Sequence, residues 1–444
     1  MSAETSAVGV DPRTESNLDP EYRANGRRTL RAAIAGFFVD MYDVYLPVIA
    51  LAPAIAYFIP ADGTKTEAAT LTALIFAVSL VGRPIGSIIF GVLGDRIGRR
   101  ITTVWVAGAF TLCTGLIACL PGYASIGWWA AGALIFLRLI DGVFLGGEYT
   151  AANPLAMEYA PRERRGLYGA LLNIGYPAAL GFMTVLTMLI LKFIPAGNAN
   201  VAYSVWGWRI PFVVGFIISG MIFLHYLRSI PESELWAKSA VVGNPLAALF
   251  SGNNLRNFGI AFVTSTGAWF ILDGTIGVFG SHFKKLGTDQ AVVNTTVLVS
   301  ALVGIAIFPL IGLLGQHFGR RPVIMAIALL NLIVGPIAFT IAIDRHTSTP
   351  AVIIGAAIAI VAGLTVFAVI TAYIMEMFPT EVRSSGYGIG YSLPSVIPAF
   401  YPYYMLGLGN TMNYDYTPIV ILVVGAVFLF AGAYISKDLR NVDL

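Results

Sequence analysis

Charge is what this 444-residue chain has least of: Asp and Glu number 24 and Lys and Arg 27, together 11% of the residues, against 57% apolar. With a mean hydropathy of +0.78, the sequence lacks the mixed surface of a soluble protein. Cysteine and histidine are also scarce. Cys113 and Cys119 share one apolar run without metal-ligand spacing, and His225, His282, His317 and His346 fall at helix ends or in loops far apart in sequence. Neither type supplies a metal cluster or a nucleophile and base, so no enzyme, no metal and no cofactor are expected. The net charge is only +3 and the basic residues are scattered between apolar runs, which is not a nucleic-acid footprint. Residues 1 to about 25 are polar and have no apolar core of leader type, so a cytoplasmic tail is expected there.

What the chain has instead is long apolar runs. A spanning helix needs about 20 apolar residues, and runs of that length lie near 30–58, 69–94, 102–121, 126–157, 166–193, 207–228, 257–281, 290–315, 322–343, 350–376, 385–408 and 416–436. They predict an all-α membrane protein of about twelve helices, six in each half. The expected divisions are a tail over 1–28, a first six-helix bundle over 29–228, a polar linker over 229–255, a second bundle over 256–436 and a terminal segment over 437–444. With the first residue inside, nineteen basic residues fall on inner segments and six on outer ones, while Arg83 and Arg138 lie within helices. That bias predicts both termini in the cytoplasm.

The two halves are related. Gly91-Val92-Leu93-Gly94-Asp95-Arg96-Ile97-Gly98-Arg99-Arg100 returns 221 residues later as Gly312-Leu313-Leu314-Gly315-Gln316-His317-Phe318-Gly319-Arg320-Arg321. Glu158, Pro161, Glu163 and Arg165 return as Glu376, Pro379, Glu381 and Arg383 at a constant offset of 218. Duplicated bundles with a site between them are the outline of a secondary transporter.

Charges left inside the hydrocarbon carry the chemistry. An ionisable group at mid-bilayer costs about 2.5–3.5 kcal/mol on insertion scales, so each is a functional candidate whose partner must be named. Asp40 and Asp43 lie near the middle of the first helix, three residues apart and so on one face. Arg138, Asp141 and Glu148 form a stripe on the fourth, beside Gly142, Gly146 and Gly147, which allow close helix approach. Trp269 and Asp273 share a face of the seventh, with Gly267 and Gly274 nearby. Asp43 and Glu148, with Asp40 and Asp141, are read as proton-carrying acids and Arg138 as the counter-charge. Arg83, followed by Pro84, is read as tying helices together rather than binding substrate. Tyr42, Tyr149 and Tyr176 stand beside or opposite these stripes as candidate substrate donors.

The chain resembles the major facilitator superfamily over nearly all its length, through the doubled loop motif and the second repeated pair. That resemblance implies two pseudo-symmetric six-helix bundles. It also implies a conformational lock at Gly91, Asp95, Arg96, Gly98 and Arg99, with Glu158, Arg165, Glu376 and Arg383. In the family, the acid at the position of Asp95 pairs near the start of helix eleven and helps lock the outward-facing state. Gln316 replaces it in the second copy, so a weaker lock is expected there. Arg83-Pro84-Ile85-Gly86, Gly207-Trp208-Arg209-Ile210-Pro211-Phe212 and Pro231-Glu232-Ser233 resemble the metabolite:proton symporters of carboxylates and zwitterionic osmolytes. Asp40-Met41-Tyr42-Asp43, Gly146-Gly147-Glu148-Tyr149 and Trp269-Phe270-Ile271-Leu272-Asp273 are similar instead to the phosphate:proton symporters. Asn173, Gly277 and the apolar residues with Tyr391 in helix eleven depart from the phosphate pattern.

Together these readings point to a proton-coupled symporter in the cell inner membrane that imports a small organic anion, a carboxylate first, by alternating access. Tyr42, Tyr149, Asn173, Tyr176, Trp269, Asp273 and Tyr391 are the expected substrate residues. Inorganic phosphate import and metabolite or drug export are the alternatives. A monomer in the lipid bilayer, with protons and the anion as partners, is expected.

Overall fold

The computed structural model describes residues 20–60, 65–195, 200–238, 243–344 and 346–440. The regular elements among them are all helices. Eleven are long and apolar enough to cross a membrane: α1 Pro20–Leu51, α2 Ala77–Ile97, α3 Arg99–Ala118, α4 Trp129–Glu158, α5 Arg162–Phe193, α6 Tyr203–Ser229, α7 Gly252–Gly280, α8 Gln290–Phe318, α9 Arg320–Ile343, α10 Thr349–Met375 and α12 Tyr414–Ile435. The twelfth run, α11, is broken. It is helical over Arg383–Ser392 and again over Tyr401–Gly409, with two 3-10 turns between, Leu393–Val396 and Pro398–Phe400. Pro394, Pro398 and Pro402, spaced by four, each lack the N–H that a continuous α-helix requires there, so that run cannot form one.

One boundary differs from the sequence reading. The first helix begins at Pro20, nine residues before the expected start of the first bundle. A proline is well placed at a helix start, and the early turns are held down: the Tyr22 hydroxyl donates to Glu158 O at 3.0 Å. The rest of the expected tail, 1–19, lies outside the described residues, as do 239–242 of the linker and 441–444 of the terminal segment. The linker carries two short helices, Glu234–Lys238 and Pro245–Leu249, and is anchored to the first loop motif. Its Glu232 accepts the Arg99 and Arg100 amides at 3.0 and 3.1 Å, and the Trp236 indole donates to Asp95 O at 2.9 Å.

Small residues bring α2 and α4 together. A Cβ on Gly86 would lie 1.8 Å from Val143 O, and one on Gly142 or Gly146 would meet Ser79 O or Arg83 O at 2.2 and 2.1 Å. This backbone contact, of the kind small residues permit between membrane helices, sets Ser79 and Arg83 of α2 beside the charged stripe of α4. The repeat is visible in backbone conformation too. Gly98 and Gly319, at matching motif positions, have φ of +109° and +105°, a region almost closed to residues with a side chain.

Candidate functional site

Asp40, Asp43, Asp141 and Glu148 are buried inside the first bundle together with Arg83 and Arg138. Arg138 Nη1 lies 2.6 Å from Asp43 Oδ2 and 2.7 Å from Asp141 Oδ2, and Nη2 donates to Ser79 Oγ at 3.4 Å. Arg83 Nη2 donates to Asp40 Oδ1 at 3.1 Å. The Tyr226 hydroxyl sits 3.0 Å from Glu148 Oε1 and 3.1 Å from Ala32 O. Gly36 makes room for that contact, since a Cβ there would fall 2.0 Å from the Tyr226 hydroxyl. One oxygen of each acid, Asp40 Oδ2, Asp43 Oδ1, Asp141 Oδ1 and Glu148 Oε2, is buried without a hydrogen-bond partner. Two carboxylates share the Arg138 guanidinium, which leaves one negative charge uncompensated in a low-dielectric interior if both are ionised.

The structure brings Asp43, Arg138 and Asp141 together as one cluster and keeps it within the first bundle, because its hydrogen-bond partners belong to α1, α2 and α4. Asp40 and Glu148 face a small separate cavity that Tyr226 also lines. Tyr42 turns away from the second bundle: its hydroxyl donates to Pro211 O of α6 at 2.7 Å. That bond and its ring contact with Phe38, 6.4 Å between centroids, set it apart from the other expected substrate donors.

The remaining substrate candidates meet between the bundles. Successive ring contacts run from Tyr45 to Tyr176, Phe367, Trp269, Tyr391 and Tyr149, with centroid distances of 5.9, 6.0, 5.7, 5.2 and 5.5 Å. The Tyr45 and Tyr176 hydroxyls hydrogen bond to each other, and the Trp269 indole donates to Tyr391 O at 2.8 Å. Aromatic rings contacting edge-on or tilted at these distances attract one another. Asp273 opens a π-helical turn, Asp273–Gly277, towards the C-terminal end of α7, a distortion that often marks functional sites. Its carboxylate has no hydrogen-bond or ion-pair partner among the described residues.

Beside the rings lies a layer of polar contacts that sequence reasoning missed. Asn173 Nδ2 donates to Thr371 Oγ1 at 2.7 Å, Asn153 Nδ2 donates to the Tyr387 hydroxyl at 3.1 Å, and Ser392 Oγ donates to Ser87 Oγ at 2.8 Å. Asn173 is therefore already committed across the interface. The 218-residue offset that relates Glu158 to Glu376 also relates Asn153 to Thr371, Asn173 to Tyr391 and Tyr149 to Phe367. That register was the available signal.

At the end carrying the loop motifs the bundles are bolted together. Asp95 accepts the amides of Ser384 and Ser385 at 3.2 and 3.0 Å and the Ser385 hydroxyl at 2.6 Å, and pairs with Arg99 at 2.9 Å. Glu158 Oε1 lies 2.9 Å from Arg383 Nη1 and 3.4 Å from Arg99 Nη2, which also donates to Thr380 O at 2.7 Å. A Cβ on Gly91 would meet Ser385 Cα at 3.0 Å, so this glycine lets α2 rest on α11. In the second half Arg320 pairs with Glu376 at 2.8 Å, and Gln316 accepts the Gly166 amide at 2.9 Å. Arg165 is buried at the start of α5. Arg96 departs from the group by donating to Gly243 O of the linker at 2.6 Å. The hydrogen bonds named here between the bundles belong to the central layer or to this end.

Paired six-helix halves, loop motifs that interlock them and a polar interior define a membrane transporter. A family model described as Sugar (and other) transporter matches residues 29–242, and one described as Major Facilitator Superfamily matches 258–441. The inner membrane metabolite transport protein YhjE of Escherichia coli (strain K12) is 30% identical, with 95% of each chain covered. The shikimate transporter of Escherichia coli (strain K12) is 28% identical over 93% of each chain, and the proline/betaine transporter of the same strain is 28% identical over 94% of this chain and 85% of its own. The proton:xylose symporter XylE bound to 6-bromo-6-deoxy-D-glucose shares the fold, with a TM-score of 0.74 at 16% identity over 93% of this chain and 95% of that one. The chain belongs to the major facilitator superfamily. It is a multi-pass membrane transporter of a small molecule, not an enzyme.

Proposed function

We propose that this protein is a proton-coupled symporter of the cell inner membrane that imports a small organic anion, most simply a carboxylate, by alternating access. The observation that carries the reading is the sharing of one buried guanidinium by Asp43 and Asp141. A single proton on the pair removes the surplus negative charge, and its loss restores it, so the cluster prefers different surroundings in its two protonation states. The free oxygens of Asp43 and Asp141 give that proton a place. Glu148 supports a second carrier, because the single Tyr226 proton cannot serve both Glu148 and Ala32 O unless Glu148 itself donates.

In this reading the loop-motif end faces the cytoplasm, with both termini, and its interlocked contacts close the inward path. Tyr149, Tyr176, Trp269, Tyr391 and Asp273 line the substrate path on the other side of that closure, and the protein works as a monomer. Opening inward requires Asp95 to release α11 and Glu158 to release Arg383, which substrate and proton together would favour by binding the closed centre less tightly than the inward-open one.

One observation supports a second substrate reading, inorganic phosphate: Tyr149 and Trp269, both from the strings similar to the phosphate symporters, lie one ring apart in the aromatic chain between the bundles. Uptake by purified protein in liposomes under an inward proton gradient tests both. Labelled carboxylates are expected to accumulate and to be displaced by other carboxylates. Stronger displacement by phosphate than by any carboxylate would move the assignment to phosphate, and accumulation that ignores the gradient would end the symport reading.

A further inference from the structure

The aromatic chain between the bundles has a polar counterpart nearer the loop motifs. On four helices an aromatic member of that chain is accompanied, three or four positions towards the motif end, by a residue with a polar group: Tyr149 by Asn153 on α4, Tyr176 by Asn173 on α5, Phe367 by Thr371 on α10 and Tyr391 by Tyr387 on α11. Such a spacing is one helical turn, about 5 Å along the axis. The four polar residues therefore form a layer of their own beneath the rings.

All four are buried, and they are joined end to end. Asn173 Nδ2 donates to Thr371 Oγ1 at 2.7 Å, Thr371 Oγ1 lies 3.4 Å from the Tyr387 hydroxyl, and that hydroxyl accepts from Asn153 Nδ2 at 3.1 Å. This belt crosses from the first bundle to the second and back again. Both crossings are backed by close helix contact: a Cβ on Gly169 of α5 would lie 3.1 Å from Ala372 Cβ of α10, and one on Gly388 of α11 would lie 2.4 Å from Thr150 Oγ1 of α4. Helices packed so tightly around buried, bonded side chains leave no path for a solute.

Charge separates this layer from the contacts at the motif end. Asp95, Glu158 and Arg383 hold that end with ionised groups, whereas the belt consists of two amides and two hydroxyls. A neutral hydrogen bond is weaker than one to a charged group, and water can satisfy its partners once the bundles part. The belt is thus suited to opening and closing repeatedly.

We propose that Asn153, Asn173, Thr371 and Tyr387 are the inner gate of the substrate path: a neutral, hydrogen-bonded seal beneath the aromatic chain that must part before a bound solute can move towards the loop motifs. The inference goes beyond the symport reading and takes from it only alternating access. Closure on the motif side then has two layers, a charged one at the membrane edge and a neutral one at the site itself.

Thr371→Val is close to threonine in shape and removes both bonds at the middle of the belt. Tyr387→Phe does the same from α11, and Thr371→Ser restores a hydroxyl. Spin labels at Arg228 and Lys437, exposed positions at the motif-side ends of α6 and α12, report the separation of the bundles in the purified full chain carrying Cys113→Ser and Cys119→Ser. Without substrate, the ratio of wide to narrow separations is expected to rise at least about tenfold in Thr371→Val and in Tyr387→Phe, equivalent to about 1.4 kcal/mol. Thr371→Ser is expected to stay near the unaltered ratio. Unchanged separations in both the valine and the phenylalanine variants overturn the gate, and so does a shift of equal size in Thr371→Ser, which would mark Thr371 as a packing residue. The distance measurement needs neither solute nor proton gradient, so failure of the unaltered protein to accumulate any anion removes the symport reading alone.

Discussion

The Gln316 carboxamide accepts the Gly166 amide at 2.9 Å, and Asp95 accepts the Ser384 amide at 3.2 Å. Gly166 and Ser384 are themselves 218 residues apart, the spacing of the internal repeat. Each loop motif thus fastens onto the first turn of the partner bundle's helix at the equivalent position, α8 on α5 and α2 on α11. The two fasteners differ in charge. Asp95 collects two amides, a hydroxyl and Arg99, whereas the Gln316 oxygen takes the Gly166 amide and Arg320.

This asymmetry sets the expected mutant behaviour. Hydrogen bonds to a charged group contribute about 1.5–3 kcal/mol and neutral ones about 0.5–1.5. Asp95→Ala should therefore shift the conformational equilibrium away from closure at the motif end more than Gln316→Ala does. Hydrogen exchange at Ser384 and Ser385 against Gly166 reads the difference; equal effects of the two changes would refute the charge argument.

Glu158 links α4 to Arg99 and Arg383, and its Oε2 takes the Ser233 hydroxyl. Replacing it with Gln leaves two buried guanidinium groups without their shared anion, and breaking such a pair costs about 3–5 kcal/mol. A clear fall in the unfolding midpoint in detergent is expected for Glu158→Gln. Glu163→Gln, an exposed change on the same segment, should leave it in place.

His282, beyond the end of α7, is 3% exposed. Burial pushes its pKa below the usual histidine value, partly offset by the Asp415 carbonyl 3.1 Å from Nε2. A histidine held neutral by folding stabilises the native state above its unfolded pKa of about 6.5, and that contribution is lost as pH falls through the folded value. The wild-type protein should lose stability on acidification below about pH 6.5 more steeply than His282→Gln, as followed by thermal unfolding across pH. Parallel curves would remove His282 as the cause.

Much of the architecture was legible because the bilayer demands it: long apolar runs, a positive-inside bias and a repeated loop whose Gly98 and Gly319 must take positive φ. The break in α11 was legible in principle, since three prolines four residues apart stand in plain view, but the length of its apolar run masks them. Side-chain direction was harder. Tyr42 and Asp43 are neighbours in sequence, yet one bonds to α6 and the other to Arg138 on α4, and only the rotation of α1 decides which. Asn173 and Thr371 meet across the bundle interface, and a single chain read in order gives no hint of that pairing beyond the repeat register. Arg83, expected as a helix tie, pairs with Asp40 at 3.1 Å and so joins α2 to α1.

The most direct test of coupling is Asp43→Asn in proteoliposomes, with accumulation under an inward proton gradient compared with substrate counterflow at equal pH. The substitution keeps the size of the side chain beside Arg138 and removes its titration. Accumulation should be abolished while counterflow continues at a measurable fraction of the wild-type rate. Concentrative, gradient-driven uptake at the wild-type level in that variant would contradict the assignment of proton coupling to the Asp43 and Arg138 cluster.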